Sequence, residues 1–125
     1  MPQPIRVLLV DDEPMFLEAL QALLEVDARV NVVAVAANGP DAIALAVRER
    51  PDVALVDLAL PGFDGFETTR LLRAQAPAMK VVVISGLSDG TEEDAAHAAG
   101  ATGFLFKGGL YDEIGNAIVD AHLAA

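Results

Sequence analysis

The chain is predicted to be an α/β domain, a parallel sheet with helices on both faces. Short β-branched apolar runs recur five times, at residues 7–10, 30–35, 53–56, 81–84 and 104–106. Runs apolar at nearly every position fit strands covered on both faces. Stretches with helical spacing separate them, so the pattern reads strand–helix five times. Strands alternating with helices form parallel sheets with right-handed crossovers. At 125 residues the chain suits one domain with a proper core, and the whole of 1–125 is read as that domain.

The first helix is predicted to start near Glu13-Pro14, because proline is tolerated in a first turn and an acid suits the positive end of the helix dipole. Phe16, Leu17, Leu20, Leu23 and Leu24 form its apolar face. The second follows Asn38-Gly39-Pro40, points Ile43, Ala46 and Val47 inward and stops before Pro51. The third runs from Phe63 or Asp64 to Ala76, with Phe66, Leu71 and Leu72 as core candidates, and Pro77 ends it. The fourth opens on Thr91-Glu92-Glu93-Asp94, which resembles a capping box with Asp94 in the acceptor position, and stops at Gly100. Its Ala95, Ala96, Ala98 and Ala99 favour a helix but offer little to pack, so it should be the least firmly anchored. The fifth spans about 110–123, with Ile114, Ala117, Ile118 and Ala121 on one side.

Charge and composition exclude several classes. The net charge is -11, from 8 basic and 19 acidic side chains. A surface that acidic is repelled by nucleic acid and by anionic membranes. There is no cysteine, hence no disulfide framework and no thiolate-bound metal. No apolar run is long enough to span a bilayer, and Met1-Pro2-Gln3-Pro4-Ile5-Arg6 lacks the apolar stretch of a secretion signal. A cytoplasmic protein is the expectation.

Four of the five strands end on residues that carry chemistry. Asp11 and Asp12 follow Ile5-Arg6-Val7-Leu8-Leu9-Val10, Asp57 follows Asp52-Val53-Ala54-Leu55-Val56, Ser85 ends Lys80-Val81-Val82-Val83-Ile84, and Lys107 follows Thr102-Gly103-Phe104-Leu105-Phe106. The carboxyl ends of parallel strands share one edge, where sites form. Three carboxylates, a hydroxyl and an ammonium can therefore meet there. Carboxylates so close repel one another unless a cation sits among them, and the set suits a hard metal ion and a phosphoryl group.

These residues resemble the receiver domain of two-component response regulators, the CheY-like family, and the resemblance covers the whole chain. It is carried by Leu8-Leu9-Val10-Asp11-Asp12-Glu13, Val56-Asp57-Leu58-Ala59-Leu60-Pro61-Gly62-Phe63-Asp64-Gly65, Val83-Ile84-Ser85-Gly86 and Gly103-Phe104-Leu105-Phe106-Lys107. One such segment alone is a weak signal; all four in order, each at a strand end, are not. The resemblance implies a flavodoxin-like (βα)5 three-layer sandwich with strand order 2-1-3-4-5. It implies that Asp57 is the phosphoacceptor, forming an acyl phosphate. Asp12, Asp57 and the backbone carbonyl of Ala59 would ligate Mg²⁺ directly, and Asp11 through water. Lys107 would pair with Asp57 and then with the phosphoryl oxygens. Ser85 would donate to a phosphoryl oxygen and act as a switch together with Phe104, and backbone amides near Ala59 and Gly86 would complete the anion site. Glu13 reads as no more than an acidic helix start, and His97 and His122 as surface residues.

The family's phosphodonor is a histidine kinase or phosphotransfer protein. The implied protein is a switch that assists its own phosphotransfer and dephosphorylation rather than an enzyme. Its output face is formed by the fourth helix, fifth strand and fifth helix, with a phosphorylation-dependent homodimer as one consequence. The Gly-Ala-Thr-Gly-Phe-Leu lead-in, and a small residue after Lys107, resemble the LuxR/NarL-type receivers, whose DNA-binding domain follows the receiver. The chain is either a single-domain regulator or the receiver of a longer protein.

Departures from the family pattern carry their own expectations. Gly108 stands where many receivers have a cis-proline, so this bond should be trans, and Gly108-Gly109 should leave a mobile loop. Gly86 replaces the commoner alanine and could loosen the loop behind Ser85. Ala59 and Leu87 cannot orient an attacking water, which predicts slow self-dephosphorylation. Two other readings stand beside this one. A constitutive pseudo-receiver would bind partners without phosphate. A haloacid-dehalogenase-type phosphohydrolase would need an acid two residues after Asp57, where Ala59 stands, and a cap insertion.

Overall fold

Successive residues on a strand face opposite sides of a sheet, and here both sides are apolar. Val7, Leu9, Val53, Leu55, Val82 and Ile84 enter one core, while Leu8, Val10, Ala54, Val56, Val81 and Val83 enter the other. The computed structural model describes residues 3–60, 64–86, 90–109 and 113–124. Their elements are β1 (Ile5–Val10), α1 (Pro14–Glu25), β2 (Val30–Ala36), α2 (Gly39–Glu49), β3 (Val53–Asp57), α3 (Gly65–Gln75), β4 (Lys80–Ser85), α4 (Glu93–Ala98), β5 (Gly103–Phe106) and α5 (Ile114–Leu123), with a 3-10 turn at Lys107–Gly109. All strand pairs are parallel, in the order β2-β1-β3-β4-β5. Helices α1 and α5 cover one face; α2, α3 and α4 cover the other. This is the flavodoxin-like sandwich that the sequence predicts.

Register brings the strand ends together. Val10 pairs with Val56, Asp57 with Ile84, and Ser85 with Phe106. The Asp11 amide extends the sheet by donating to the Ala36 carbonyl at 3.0 Å. Burial on both faces holds for the central strands alone. The edge strands β2 and β5 are only half-covered, with Val35 and Phe106 exposed, because an edge strand has neighbours on one side.

Local chemistry sets the helix starts. Asn38 caps α2 by accepting from the Asp41 amide, Asp64 caps α3 through the Glu67 amide, and prolines open α1 and α2. Leu17, Leu20 and Leu24 of α1 are buried, with Phe16 partly so. Val47 departs from the expectation. It is 58% exposed, since Ala42 and Ala46 carry the inward stripe of α2 and Val47, the residue after Ala46, is rotated off that stripe to solvent by about 100°. The predicted capping box on α4 is also corrected. The helix begins at Glu93 with Glu92, not Thr91, at the N-cap, and Glu92 makes no side-chain cap bond. It ends before Gly100, whose φ of 111° favours glycine. With six residues and Ala96 alone buried within it, α4 is the thinly anchored helix expected. Pro61, Phe63, Leu87 and Leu110, named above, lie outside the described residues. Among the described residues no helix is long and apolar enough to cross a membrane.

Candidate functional site

Asp11 and Asp57 are buried at the ends of β1 and β3, and Asp12 is exposed beside them. Carboxylate oxygens of the three lie within 4.8 Å of one another. The Lys107 ammonium reaches into this group from the end of β5. It lies 3.2 Å from Asp11 Oδ2, 3.5 Å from Glu13 Oε2 and 3.8 Å from Asp57 Oδ2. Its other neighbour is the Phe16 ring, with 4.0 Å from Nζ to the centroid. The Asp57 carboxylate accepts from the Ala59 amide at 3.3 Å, and Asp11 accepts from the Glu13 amide at 2.8 Å.

Gly65 makes this approach possible. A Cβ there would stand 2.5 Å from the Asp57 carbonyl oxygen and from Leu58 Cα. Only glycine lets the start of α3 close over the end of β3, where the Gly65 amide donates to the Leu58 carbonyl.

Electrostatics follow from the crowding. Burial pushes the Asp57 carboxyl above the usual carboxylate range. Asp11 adds to the rise and Lys107 opposes it. For Lys107 burial works against the charge, but Asp57 and Asp11 outweigh it and hold the ammonium above its ordinary value. The three carboxylates exceed the single ammonium in charge. An all-oxygen donor set with excess negative charge fits a hard divalent cation such as Mg²⁺.

Residues 7–119 match the response regulator receiver domain family. This chain belongs to that family. The receiver is similar to LiaR, a transcriptional regulatory protein of Bacillus subtilis, at 36% identity over 114 residues, 91% of this chain and 54% of that protein. It is also 41% identical over 101 residues to a protein-glutamate methylesterase/protein-glutamine glutaminase of Methanospirillum hungatei, covering 81% of this chain and 29% of that protein. Among solved structures, the signal receiver domain of NarL from Mycobacterium tuberculosis superposes with a TM-score of 0.92 at 34% identity, over 99% of this chain and 100% of that one. The relatives support a receiver of the LuxR/NarL type. The chain spans between 29% and 55% of the length of the curated relatives it matches.

The receiver brings together Asp11, Asp12, Asp57 and Lys107, as the sequence predicts, and the expected Lys107–Asp57 ion pair is present; the reading of Glu13 is corrected. Lys107 hydrogen-bonds to Asp11 and holds Asp57 at longer range, because one ammonium settles among several anions rather than on one. Glu13 is more than an acidic helix start, since its carboxylate faces Lys107. Ser85 is fully buried at the end of β4, and its hydroxyl donates to the Glu92 carboxylate. Phe104 is partly buried against the core that contains Ala96 and Ala101. Gly86 has open space where a Cβ would stand. Among the described residues no peptide bond is cis, so the Lys107–Gly108 bond is trans. The segment after it is a 3-10 turn with the Phe106 ring folded over Gly108.

Sequence reasoning missed Phe16 and Glu92 as neighbours of the site. Phe16 was legible in principle, since it stands in the first turn of the helix that directly follows Asp11 and Asp12. Glu92 was not, because its approach to Ser85 depends on the path of a loop.

Proposed function

We propose that this receiver accepts a phosphoryl group on Asp57 from a phosphohistidine of a histidine kinase or phosphotransfer protein, in the cytoplasm. The observation that carries the reading is the buried Asp57 carboxylate beside Asp11, Asp12 and the Lys107 ammonium at one sheet edge. An Asp57 Oδ atom attacks phosphorus, the new O–P bond forms, the P–N bond to the donor histidine breaks, and its electron pair stays on the imidazole. Lys107 pairs with the phosphoryl oxygens as their negative charge arrives. Ser85 donates a hydrogen bond to one of them, with Phe104 packing in step. Asp11, Asp12, Asp57 and the Ala59 carbonyl would hold Mg²⁺, which supplies charge neutralisation for the transferring group.

The chain acts as a switch that aids its own phosphotransfer. Two conformations of the α4–β5–α5 face exchange, and phosphorylation biases their populations. That face then changes its partner, including a second copy of the chain. A DNA-binding output domain belongs to this reading for a longer protein, while the acidic receiver itself makes no nucleic-acid contact. The methyl side chain of Ala59 cannot orient water, so the acyl phosphate is long-lived, and a lifetime of seconds would contradict that point.

Intact-protein mass after incubation with acetyl phosphate and Mg²⁺ tests the proposal. One added phosphoryl group is expected in the parent, and none in Asp57→Asn or with EDTA. Absence of an adduct, together with failure to bind beryllofluoride, would favour the constitutive interaction module.

A further inference from the structure

A hydroxyl has one hydrogen to donate. In this structure the Ser85 hydroxyl gives it to the carboxylate of Glu92, seven residues on, at the N-cap of α4. Ser85 is fully buried and Glu92 half-buried, so the bond is partly screened from water, and a charged acceptor makes it stronger than a neutral one would. A phosphoryl oxygen on Asp57 needs the same hydrogen. We infer that Glu92 is a positioning residue that holds the Ser85 hydroxyl in the unphosphorylated state, and that the phosphoryl group must displace it. The inference rests on the reading that Asp57 accepts phosphate.

No covalent bond changes in this step. The Ser85 O–H···Glu92 hydrogen bond breaks and an O–H···phosphoryl bond forms. The released Glu92 carboxylate turns to water, and repulsion from the new phosphoryl charge favours that movement. Glu92 leads directly into α4, whose Ala96 alone is buried within a six-residue helix. A helix with so little apolar anchorage responds to the loss of one strong bond at its start. Competition for a single hydrogen thus links the site to the face that changes partner. It also sets a threshold, because the Glu92 bond must be overcome before Ser85 can help to bind the phosphoryl group.

The test is the affinity for beryllofluoride, which mimics the phosphoryl group on an aspartate, in the presence of Mg²⁺. Four proteins are compared: the parent, Glu92→Ala, Ser85→Ala and the double variant, each checked for folding by circular dichroism. Removing Glu92 also removes a negative charge near the site, which alone raises affinity for an anion in either background. The cycle isolates the part that passes through Ser85. Glu92→Ala is expected to tighten binding about tenfold more when Ser85 is present than in the Ser85→Ala background, the size expected for a hydrogen bond to a charged group. Glu92→Gln keeps an acceptor and loses the charge, and should fall between parent and Glu92→Ala. Equal tightening in both backgrounds, or no tightening in folded Glu92→Ala, would overturn the inference while leaving phosphorylation of Asp57 intact. If the parent binds no beryllofluoride and takes up no phosphoryl group, the underlying reading fails instead.

Discussion

The Lys107 ammonium lies 4.0 Å from the centroid of the Phe16 ring, which gives the cation that pairs with Asp57 an aromatic neighbour as well as anions. The ring comes from the first turn of α1 and is itself packed on the core. An ammonium over a ring face gains about 0.5–1 kcal/mol where water has access. Phe16→Leu keeps most of the volume and loses that face. It should slow phosphorylation by acetyl phosphate about two- to fivefold, while Phe16→Tyr retains the parent rate. Equal rates for the leucine and tyrosine variants would reduce Phe16 to a packing residue.

Gly65→Ala tests the contact that closes α3 over β3. Its Cβ would meet backbone atoms at 2.5 Å, and backbone cannot swing aside as a long side chain would. Destabilisation of about 1–3 kcal/mol is expected in urea unfolding, together with weaker Mg²⁺ binding because Asp57 shifts. An unchanged unfolding midpoint would mean that the helix start yields freely.

The acid cluster should cost stability when no cation is bound. Asp57 is buried beside Asp11, and both burial and that neighbour work against its charge. Asp57→Asn is expected to raise the urea midpoint in EDTA. Mg²⁺ should then stabilise the parent more than the variant, since an ion that binds only the folded state adds about 2.7 kcal/mol at a hundredfold excess over its dissociation constant. Equal stabilisation of both proteins would count against Asp57 as a ligand.

Acid sensitivity has a separate source, far from the site. Hydrogen bonds from Arg29, 2.8 Å to Asp27 Oδ2 and 3.0 Å to Oδ1, lower the Asp27 carboxyl from 3.8 to about 2. A carboxyl lowered in the folded state adds stability that is complete above its unfolded value. That stability disappears as pH falls towards 2. The parent should therefore lose more stability between pH 4 and pH 2 than Asp27→Asn does. The difference should stay below about 1 kcal/mol because solvent screens the pair. Parallel urea-midpoint curves across that range would contradict the assignment.

The five strands and the strand-end residues were legible from sequence because both are local signals. A buried central strand must be apolar at every position, as in Val53-Ala54-Leu55-Val56, and a charged residue directly after such a run has no structural need to be there. Even the bond partners of Asn38 and Asp64 follow from neighbours three residues away. The family resemblance supplied the strand order, which periodicity alone leaves open.

What the sequence by itself determined is thus the element types, the sheet edge that carries the acids, and the meeting of Asp11, Asp12, Asp57 and Lys107 at that edge. Tertiary structure alone decided that Lys107 sits nearest Asp11 and over Phe16, that Val47 faces water, and that Ser85 gives its hydrogen to Glu92. Periodicity reports how each element faces the core, a property of one segment. Which of several nearby anions an ammonium or hydroxyl chooses depends on distances of a few ångströms between segments, and those are set by the packing of the whole sheet and its loops.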